Sequence, residues 1–131
     1  MCGICGVIHL DGKPVTQQLM QAMTDSIQHR GPDGAGFYID DNAGLAMRRL
    51  SIIDVAGSDQ PLYNEDESVA LVFNGEIYNF QDLRADLIAK GHTFHTAGDG
   101  ETVAHLYEEY GADCFQHLRG MYAIALWDKR Q

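Results

Sequence analysis

The sequence predicts an α+β fold in which β-sheets lie between layers of helices. Two apolar runs, Val69 to Phe73 and Met121 to Trp127, are typical of strands that are covered on both faces. Other segments carry apolar residues at the spacing of an amphipathic helix. Together these patterns indicate sheets that are covered by helices. The length of 131 residues, 45% of them hydrophobic, fits one domain with one core.

The first half of the chain predicts a strand, a helix and then two more strands. Gly3 to Leu10 is short and apolar and ends at the turn signal Asp11-Gly12, so it predicts the first strand. Apolar residues at helical spacing predict an amphipathic helix in the region Thr16 to Gln28. His29 to Gly36 breaks that pattern and predicts a loop. We expect two short strands on either side of Asp40-Asp41-Asn42.

The second half predicts a buried strand, two helices and a last strand. The buried run Val69 to Phe73 ends abruptly at Asn74-Gly75-Glu76. The first helix closes at Gly91, in the position after a helix that glycine favours, and the second is followed by Gly111. The apolar residues that predict these two helices are Phe80, Leu83, Leu87 and Ile88, then Val103, Leu106, Tyr107 and Tyr110.

Charge and cysteine content narrow the classes of function. The net charge of −10, from 9 basic and 19 acidic residues, disfavours nucleic acids and anionic membranes as partners. Neither a signal peptide nor an apolar run of the roughly 20 residues that cross a bilayer is visible. Three cysteines do not resemble a disulfide framework. We therefore expect a cytoplasmic, reduced protein.

Cys2 is a candidate N-terminal nucleophile, because a small second residue allows an aminopeptidase to remove Met1. One residue would then supply a strongly nucleophilic thiol and an α-amine that can act as a base. On this residue alone, an accidental cysteine at position 2 remains an open alternative.

Cys2 and Cys5 also form a C-x-x-C pattern, which occurs in redox sites and in zinc sites. Residues three apart on a strand face opposite ways, which argues against a redox pair. A zinc site needs a second pair of ligands, for which only Cys114 and His117 are candidates. We therefore expect Cys5 to be a small core residue and predict no metal site.

Three polar groups suit the recognition of an amino-acid side-chain amide. The Asn74 amide and the Gly75 N–H together can donate two hydrogen bonds to an oxyanion, although a simple Asn-Gly turn is the alternative. A guanidinium of Arg48 or Arg49 can bind a carboxylate bidentately, or can form a surface ion pair. Glu76 and Asp99 can bind an ammonium group, although Asp99 can instead cap the following helix. Hydrolysis of the side-chain amide of a free amino acid requires these oxyanion donors, carboxylate-binding groups and ammonium-binding groups, together with the thiol and amine of Cys2.

At this point the motifs resemble a known family, the N-terminal glutaminase domain of glutamine-hydrolysing asparagine synthetases. These domains are class II glutamine amidotransferases of the N-terminal-nucleophile hydrolase fold. The resemblance implies a four-layer α-β-β-α sandwich. The matching segments are Met1-Cys2-Gly3-Ile4, Arg30-Gly31-Pro32-Asp33, Arg49 to Asp54, Gln60-Pro61-Leu62, Asn74-Gly75-Glu76-Ile77-Tyr78-Asn79, the Asp99/Glu101 turn, Leu118 to Ala123 and Leu126-Trp127-Asp128.

The resemblance implies a catalytic role for three residues. Cys2 would attack the side-chain carbonyl of glutamine, with its own α-amine carrying the protons. Asn74 and Gly75 would form the oxyanion hole. The products would be ammonia and a thioester, and water would then release glutamate.

The resemblance also implies how glutamine would bind. Arg49 would hold the α-carboxylate, and Glu76 and Asp99 would hold the α-ammonium. The remaining residues of the binding pocket would be Leu50, Ser51, Ile52, Ile53, Asn74 and Gly75. The sequence departs from the family at Gly98, where a hydroxyl residue is usual, and this departure is expected to loosen the loop that carries Asp99.

In the whole family protein, ammonia passes to a second domain that activates aspartate with ATP. The resemblance implies no cofactor in residues 1–131 and places ATP and Mg²⁺ in that synthetase domain. We expect the glutaminase domain to be truncated after Trp127-Asp128 and the synthetase domain to be absent. A homodimer is one expected assembly. The alternatives are an amidotransferase with a different acceptor and a truncated, non-catalytic module that binds glutamine.

Overall fold

A computed structural model describes residues 2–50 and 59–131 of the chain. These residues form strands β1 to β6, helices α1 to α3 and two short 3₁₀ helices. In chain order they are β1 (Gly3–Ile8), α1 (Gln17–Ser26), a 3₁₀ helix (Gln28–Arg30), β2 (Gly34–Asp40), β3 (Ala43–Arg49), β4 (Leu62–Tyr63), β5 (Val69–Ile77), α2 (Phe80–Ala89), α3 (Glu101–Tyr110), a 3₁₀ helix (Gly111–His117) and β6 (Gly120–Asp128).

The first sheet is antiparallel and has the strand order β1-β3-β2. Its two flanking strands pair with β3 from Ala43 to Arg49, so β3 lies in the middle and is buried over most of its length. β2 and β3 form a hairpin whose connection is Asp41-Asn42, and Asp41 adopts a positive φ of 48°. Aspartate tolerates this conformation better than most residues do. The predicted strands around this turn are therefore confirmed.

The second sheet is antiparallel with the order β4-β5-β6. β5 and β6 pair over nine residues, from Val69 opposite Asp128 to Ile77 opposite Gly120. Val69 to Phe73 are all buried, which confirms the prediction for this run. The prediction that Met121 to Trp127 is covered on both faces is wrong. β6 is an outer strand of the described sheet, and Met121 remains 64% exposed.

Three apolar clusters separate four layers. α1 covers the outer face of the first sheet, where Met20 packs with Val15 and Ala46. Leu45 and Met47 of the first sheet pack with Val72 of the second, so the two sheets lie face to face. α2 and α3 cover the other face of the second sheet in the largest cluster, which includes Leu71, Phe73, Leu87, Val103 and Leu106. The expected α-β-β-α sandwich is therefore confirmed.

Helix ends follow the signals in the sequence. Thr16 caps α1, and its Oγ1 accepts a hydrogen bond from the Leu19 N–H at 3.1 Å. Gly91 and Gly111 both follow helices with positive φ, as predicted. Within residues 2–50 and 59–131, no helix is both long enough and apolar enough to cross a membrane.

Candidate active site

Cys2 lies immediately before β1 and beside the end of β3. Its Sγ is 3.4 Å from the backbone N of Leu50, which donates toward it, and its carbonyl oxygen accepts from Arg30 Nε at 3.3 Å. The residue is half-buried and packs against the apolar cluster of Leu45, Met47 and Val72 between the sheets. Backbone and side-chain contacts from β3 and the Arg30 turn therefore hold the thiol in place.

The Cys2 thiol opens into a cavity of about 150 Å³. This volume is smaller than the roughly 300–1,000 Å³ of pockets for drug-sized ligands, so it suits a small metabolite. The described residues that line it are Cys2, Met47, Arg49, Leu50, Gln60, Leu62, Phe73, Thr96, Gly98, Asp99 and Gly100. Residues from both sheets and from the loop before α3 therefore share one site.

Arg49 ends β3 and presents its guanidinium at the cavity wall. Its Nη1 lies 2.7 Å from Asp59 Oδ1, and the Arg49 side chain is 24% exposed. Arg49 therefore binds the carboxylate of Asp59 in this structure, and the same guanidinium suits the α-carboxylate of a substrate. The prediction of a surface ion pair and the prediction of a substrate contact are both compatible with this geometry.

Asp99 reaches the cavity from the loop before α3. Its Oδ2 accepts a hydrogen bond from the Ile77 N–H at 2.7 Å. Gly100 takes the N-cap position of α3, with no side-chain cap, so the alternative that Asp99 caps this helix is wrong. The second carboxylate oxygen of Asp99 can face a ligand, because Ile77 engages only one of the two.

Glu101 fixes the loop that carries Asp99. Its carboxylate accepts hydrogen bonds from the His95 N–H at 2.8 Å and the Thr96 N–H at 2.6 Å. Burial raises the pKa of Glu101, but these backbone hydrogen bonds outweigh burial and lower the pKa below its ordinary value. An ionised carboxylate that is 1% exposed therefore anchors the segment from His95 to Asp99.

Asn74, Gly75 and Glu76 continue strand β5 instead of following it. They pair with Ala123, Tyr122 and Met121 of β6, so the alternative of an Asn-Gly turn is wrong. Asn74 and Gly75 are half-buried, and Glu76 is exposed. None of the three is among the described residues that line the cavity, although the preceding Phe73 is.

Ser51, Ile52 and Ile53 lie outside the described residues, so their place in the pocket stays a prediction.

Sequence reasoning missed the role of Gln60. Its side chain donates to the Phe73 carbonyl at 2.8 Å and accepts from the Phe73 N–H at 2.6 Å. Gln60 thereby fixes the β5 backbone at the cavity, a pairing that no local sequence pattern signals.

The other two cysteines are not part of this site. Cys5 packs in the cluster under α1, and Cys114 is buried in the cluster between α2, α3 and the second sheet. Burial raises the pKa of Cys5 and raises that of Cys114 to about 11, so both thiols stay protonated near neutral pH. The expectation that Cys5 is a core residue fits this packing. All three cysteines are free.

Comparison with known proteins identifies relatives along the whole chain. A family model described as "Glutamine amidotransferase domain" matches residues 1–131. The chain is 42% identical over 134 residues to asparagine synthetase [glutamine-hydrolyzing] 2 of Bacillus subtilis (strain 168), covering 100% of this chain and 18% of that protein. It is 45% identical to asparagine synthetase [glutamine-hydrolyzing] 2 of Oryza sativa subsp. japonica, covering 99% and 22%.

Solved structures share the fold at lower sequence identity. Glutamine phosphoribosylpyrophosphate amidotransferase from B. subtilis, in complex with ADP and GMP, superposes with a TM-score of 0.76 at 21% identity. The alignment covers 96% of this chain and 35% of that one. The chain spans about a fifth of the length of the relatives named above.

Proposed function

Because the chain belongs to the family of glutamine amidotransferase domains, we propose that it hydrolyses the side-chain amide of glutamine to glutamate and ammonia. One observation carries the proposal: the Cys2 thiol shares a small cavity with the guanidinium of Arg49 and the carboxylate of Asp99. A nucleophile, an anion-binding group and a cation-binding group around one cavity of about 150 Å³ suit a zwitterionic amino acid. This arrangement also disfavours the alternative of a module that only binds glutamine.

The reaction begins at Cys2 once Met1 has been removed. The α-amine of Cys2 takes the thiol proton, and Sγ attacks the amide carbon of glutamine. The amine then returns the proton to the departing nitrogen, which leaves as ammonia and leaves a thioester on Sγ. Water, deprotonated by the same amine, attacks the thioester, and the thiolate leaves as glutamate is released.

The oxyanion of both tetrahedral intermediates requires preorganised donors. In this proposal Asn74 Nδ2 and the Gly75 N–H donate to it, because the β5 backbone at this point is held by pairing with β6 and by Gln60. Neither Asn74 nor Gly75 lines the cavity of Cys2, whereas Phe73 does. The side-chain amide of glutamine must therefore extend past Phe73 along β5 to reach these two donors.

Recognition of the amino-acid end falls to Arg49, Asp99 and Glu76. Arg49 takes the α-carboxylate in place of Asp59, and Asp99 accepts from the α-ammonium through the oxygen that Ile77 does not engage. Glu76 adds negative charge near the same group. The proposed reaction uses no metal or cofactor, because the thiol, the α-amine and the oxyanion donors supply every step.

The ammonia is proposed to serve an ATP- and Mg²⁺-dependent asparagine synthetase domain. Support comes from the names of the relatives in B. subtilis and rice and from their much greater length. An amidotransferase with a different acceptor is the second candidate, since the acceptor is chosen outside this domain. A cytoplasmic location belongs to the same proposal, because a reducing compartment keeps the Cys2 thiol free.

The test is labelling with 6-diazo-5-oxonorleucine, a glutamine analogue that alkylates the nucleophile, followed by intact mass and peptide mapping. We expect one adduct, on Cys2, in protein that lacks Met1, together with glutamate release from glutamine. Cys2→Ala should abolish both, whereas the matched Cys5→Ala variant should retain both. Unchanged glutamate release by Cys2→Ala, or labelling at another residue, would refute the mechanism.

A further inference from the structure

We propose that Glu65, His92, His105 and Glu108 form a binding site for one divalent transition-metal ion of the zinc type. The site lies behind the loop of Asp99, between the turn after β4, the end of α2 and the inner face of α3. It is independent of the proposed glutaminase reaction and uses none of the residues that line the cavity of Cys2.

The four side chains offer one ligand atom each, and all four atoms lie within 4.8 Å of one another. Glu65 Oε1 is 2.9 Å from His92 Nδ1 and 3.2 Å from His105 Nδ1. Glu108 Oε2 is 3.3 Å from His92 Nδ1 and 3.8 Å from His105 Nδ1. Ligands about 2.0–2.2 Å from a tetrahedral zinc ion lie about 3.3–3.6 Å apart. The four distances from the glutamates to the histidines, 2.9–3.8 Å, bracket this range.

His105 provides a second, independent observation. Its side chain is 0% exposed, and within the described part of the chain its Nδ1 makes no hydrogen bond. Buried polar atoms are nearly always hydrogen-bonded, so an unsatisfied imidazole nitrogen requires an explanation. A metal ion at the centre of the four ligand atoms would use the lone pair of this nitrogen.

Both histidines also have the outer partners that metal-bound histidines usually have. His92 Nε2 is 2.7 Å from Glu109 Oε1, and His105 Nε2 is 3.3 Å from Glu101 Oε1. A carboxylate that accepts from Nε2–H fixes the tautomer in which Nδ1 carries a lone pair. Each ring therefore has its second nitrogen directed at the shared centre, as metal ligation requires.

Charge and ligand type select the class of ion. Metal ligation requires both glutamates ionised and both histidines neutral, and in that form the four ligands carry a charge of −2, which a divalent cation neutralises. Two imidazole nitrogens favour zinc and neighbouring transition metals over Mg²⁺ and Ca²⁺, which prefer oxygen ligands. His92 is 11% exposed and Glu65 33%, so the ion has a route from solvent.

The competing explanation is a proton. A protonated His92 would satisfy the same carboxylates through its N–H groups without any metal. The two explanations differ in stoichiometric metal content, in ligand field and in the response to substitutions that keep the size of the side chain.

The experiment is a titration of the chelator-stripped chain of 131 residues with Zn²⁺ and, separately, with Co²⁺, followed by calorimetry and by visible absorption. We expect one ion per chain and the intense visible bands of tetrahedral Co²⁺, with no thiolate charge-transfer band. Mg²⁺ and Ca²⁺ should give no binding. His92→Gln and Glu65→Gln should each weaken Zn²⁺ binding by at least about 100-fold, more than loss of an outer partner does. The exposed His117→Gln serves as the matched control and should bind normally.

Two results would overturn the site. One is folded wild-type protein that binds no Zn²⁺, which would establish the protonated cluster. The other is Zn²⁺ binding that persists in both His92→Gln and Glu65→Gln, or a thiolate band that places the ion on a cysteine. Neither result depends on glutamine turnover, so the proposed function is judged separately.

Discussion

At the scale of single residues, Arg49 illustrates a competition between two carboxylates. Asp59 occupies its guanidinium at 2.7 Å, and the Asp59 side chain is 91% exposed. In the proposed binding mode the α-carboxylate of glutamine takes the same group. An exposed ion pair contributes only about 0.2–1 kcal/mol, so Asp59 weakens substrate binding without preventing it.

Asp59→Asn should therefore lower the KM for glutamine by about two- to fivefold, the range that corresponds to about 0.4–1 kcal/mol. The value of kcat should stay unchanged, because Asp59 touches no reacting atom. Steady-state kinetics of glutamate release measure both. Asp113→Asn, which removes an exposed charge far along the chain, is the control. A KM that rises in Asp59→Asn would mean that Asp59 positions Arg49 instead of competing for it.

Glu101→Gln should disturb the loop that presents Asp99. The substitution keeps the size of the side chain but removes the charge that accepts from His95 and Thr96, which should cost about 1–3 kcal/mol of unfolding free energy. We also expect a higher KM for glutamine, since Asp99 loses its fixed position. Urea unfolding and steady-state kinetics separate the two effects. A loss of stability with an unchanged KM would confine Glu101 to a structural role.

The sequence indicates candidate residues whose side chains have an evident chemical role. It misses residues that hold the backbone of the site in place. Cys2, Arg49 and Asp99 each carry a functional group that suits one part of an amino acid, and the structure brings them to one cavity. The Gln60 side chain makes two hydrogen bonds to the backbone of Phe73, thirteen residues away. No pattern in the sequence around Gln60 signals this contact. The proposed metal ligands come from three separate segments, so their spacing does not resemble a metal motif.

At the scale of elements, β5 shows why predicted strand ends fail. The apolar run stops at Phe73, and the sequence therefore predicts the end of the strand there. The strand continues to Ile77, because backbone pairing with β6 persists through Asn74, Gly75 and Glu76, which are not fully buried. A hydrophobic pattern reports which side chains are buried, whereas the length of a strand depends on its partner.

Gly75 makes this extension possible. It adopts a φ of +146°, and a Cβ at this position would overlap the carbonyl oxygen of Met121. Gly75→Ala should therefore destabilise the protein by about 2–4 kcal/mol, since strain and overpacking add. Gly34→Ala, where a Cβ meets nothing within 4 Å, should stay within about 0.5 kcal/mol of wild type. Equal stabilities of the two variants in urea would show that β5 shifts freely against β6.

At the scale of the whole molecule, an apolar interface and a hydrogen bond between side chains join the two sheets. Leu45, Met47 and Val72 form the interface. Trp127 Nε1 on β6 donates to Asp40 Oδ2 on β2 at 2.8 Å. Neither sheet can bury its inner face without the other, so we expect them to unfold together.

Trp127 is the single tryptophan of the chain and reports on this contact directly. Its fluorescence and the far-ultraviolet circular dichroism should show one coincident unfolding midpoint in urea, as a two-state domain requires. Asp40→Asn should move both midpoints down by the same amount. A fluorescence change that precedes the loss of circular dichroism would mean that the sheets separate before they unfold.

Each sheet is built from a continuous stretch of chain, the first from residues 3–49 and the second from residues 62–128. A ribosome that adds about 5–20 residues per second therefore delivers the proposed nucleophile first. The wall that carries Phe73 and Asp99 follows, and the end of β6 is reached roughly 4–16 s after the end of the first sheet at that rate. Until β5 and β6 are both made, the inner face of the first sheet lacks its complete partner sheet. Chaperone occupancy on nascent chains should accordingly peak before β6 emerges, and amide hydrolysis should await the completion of the second sheet.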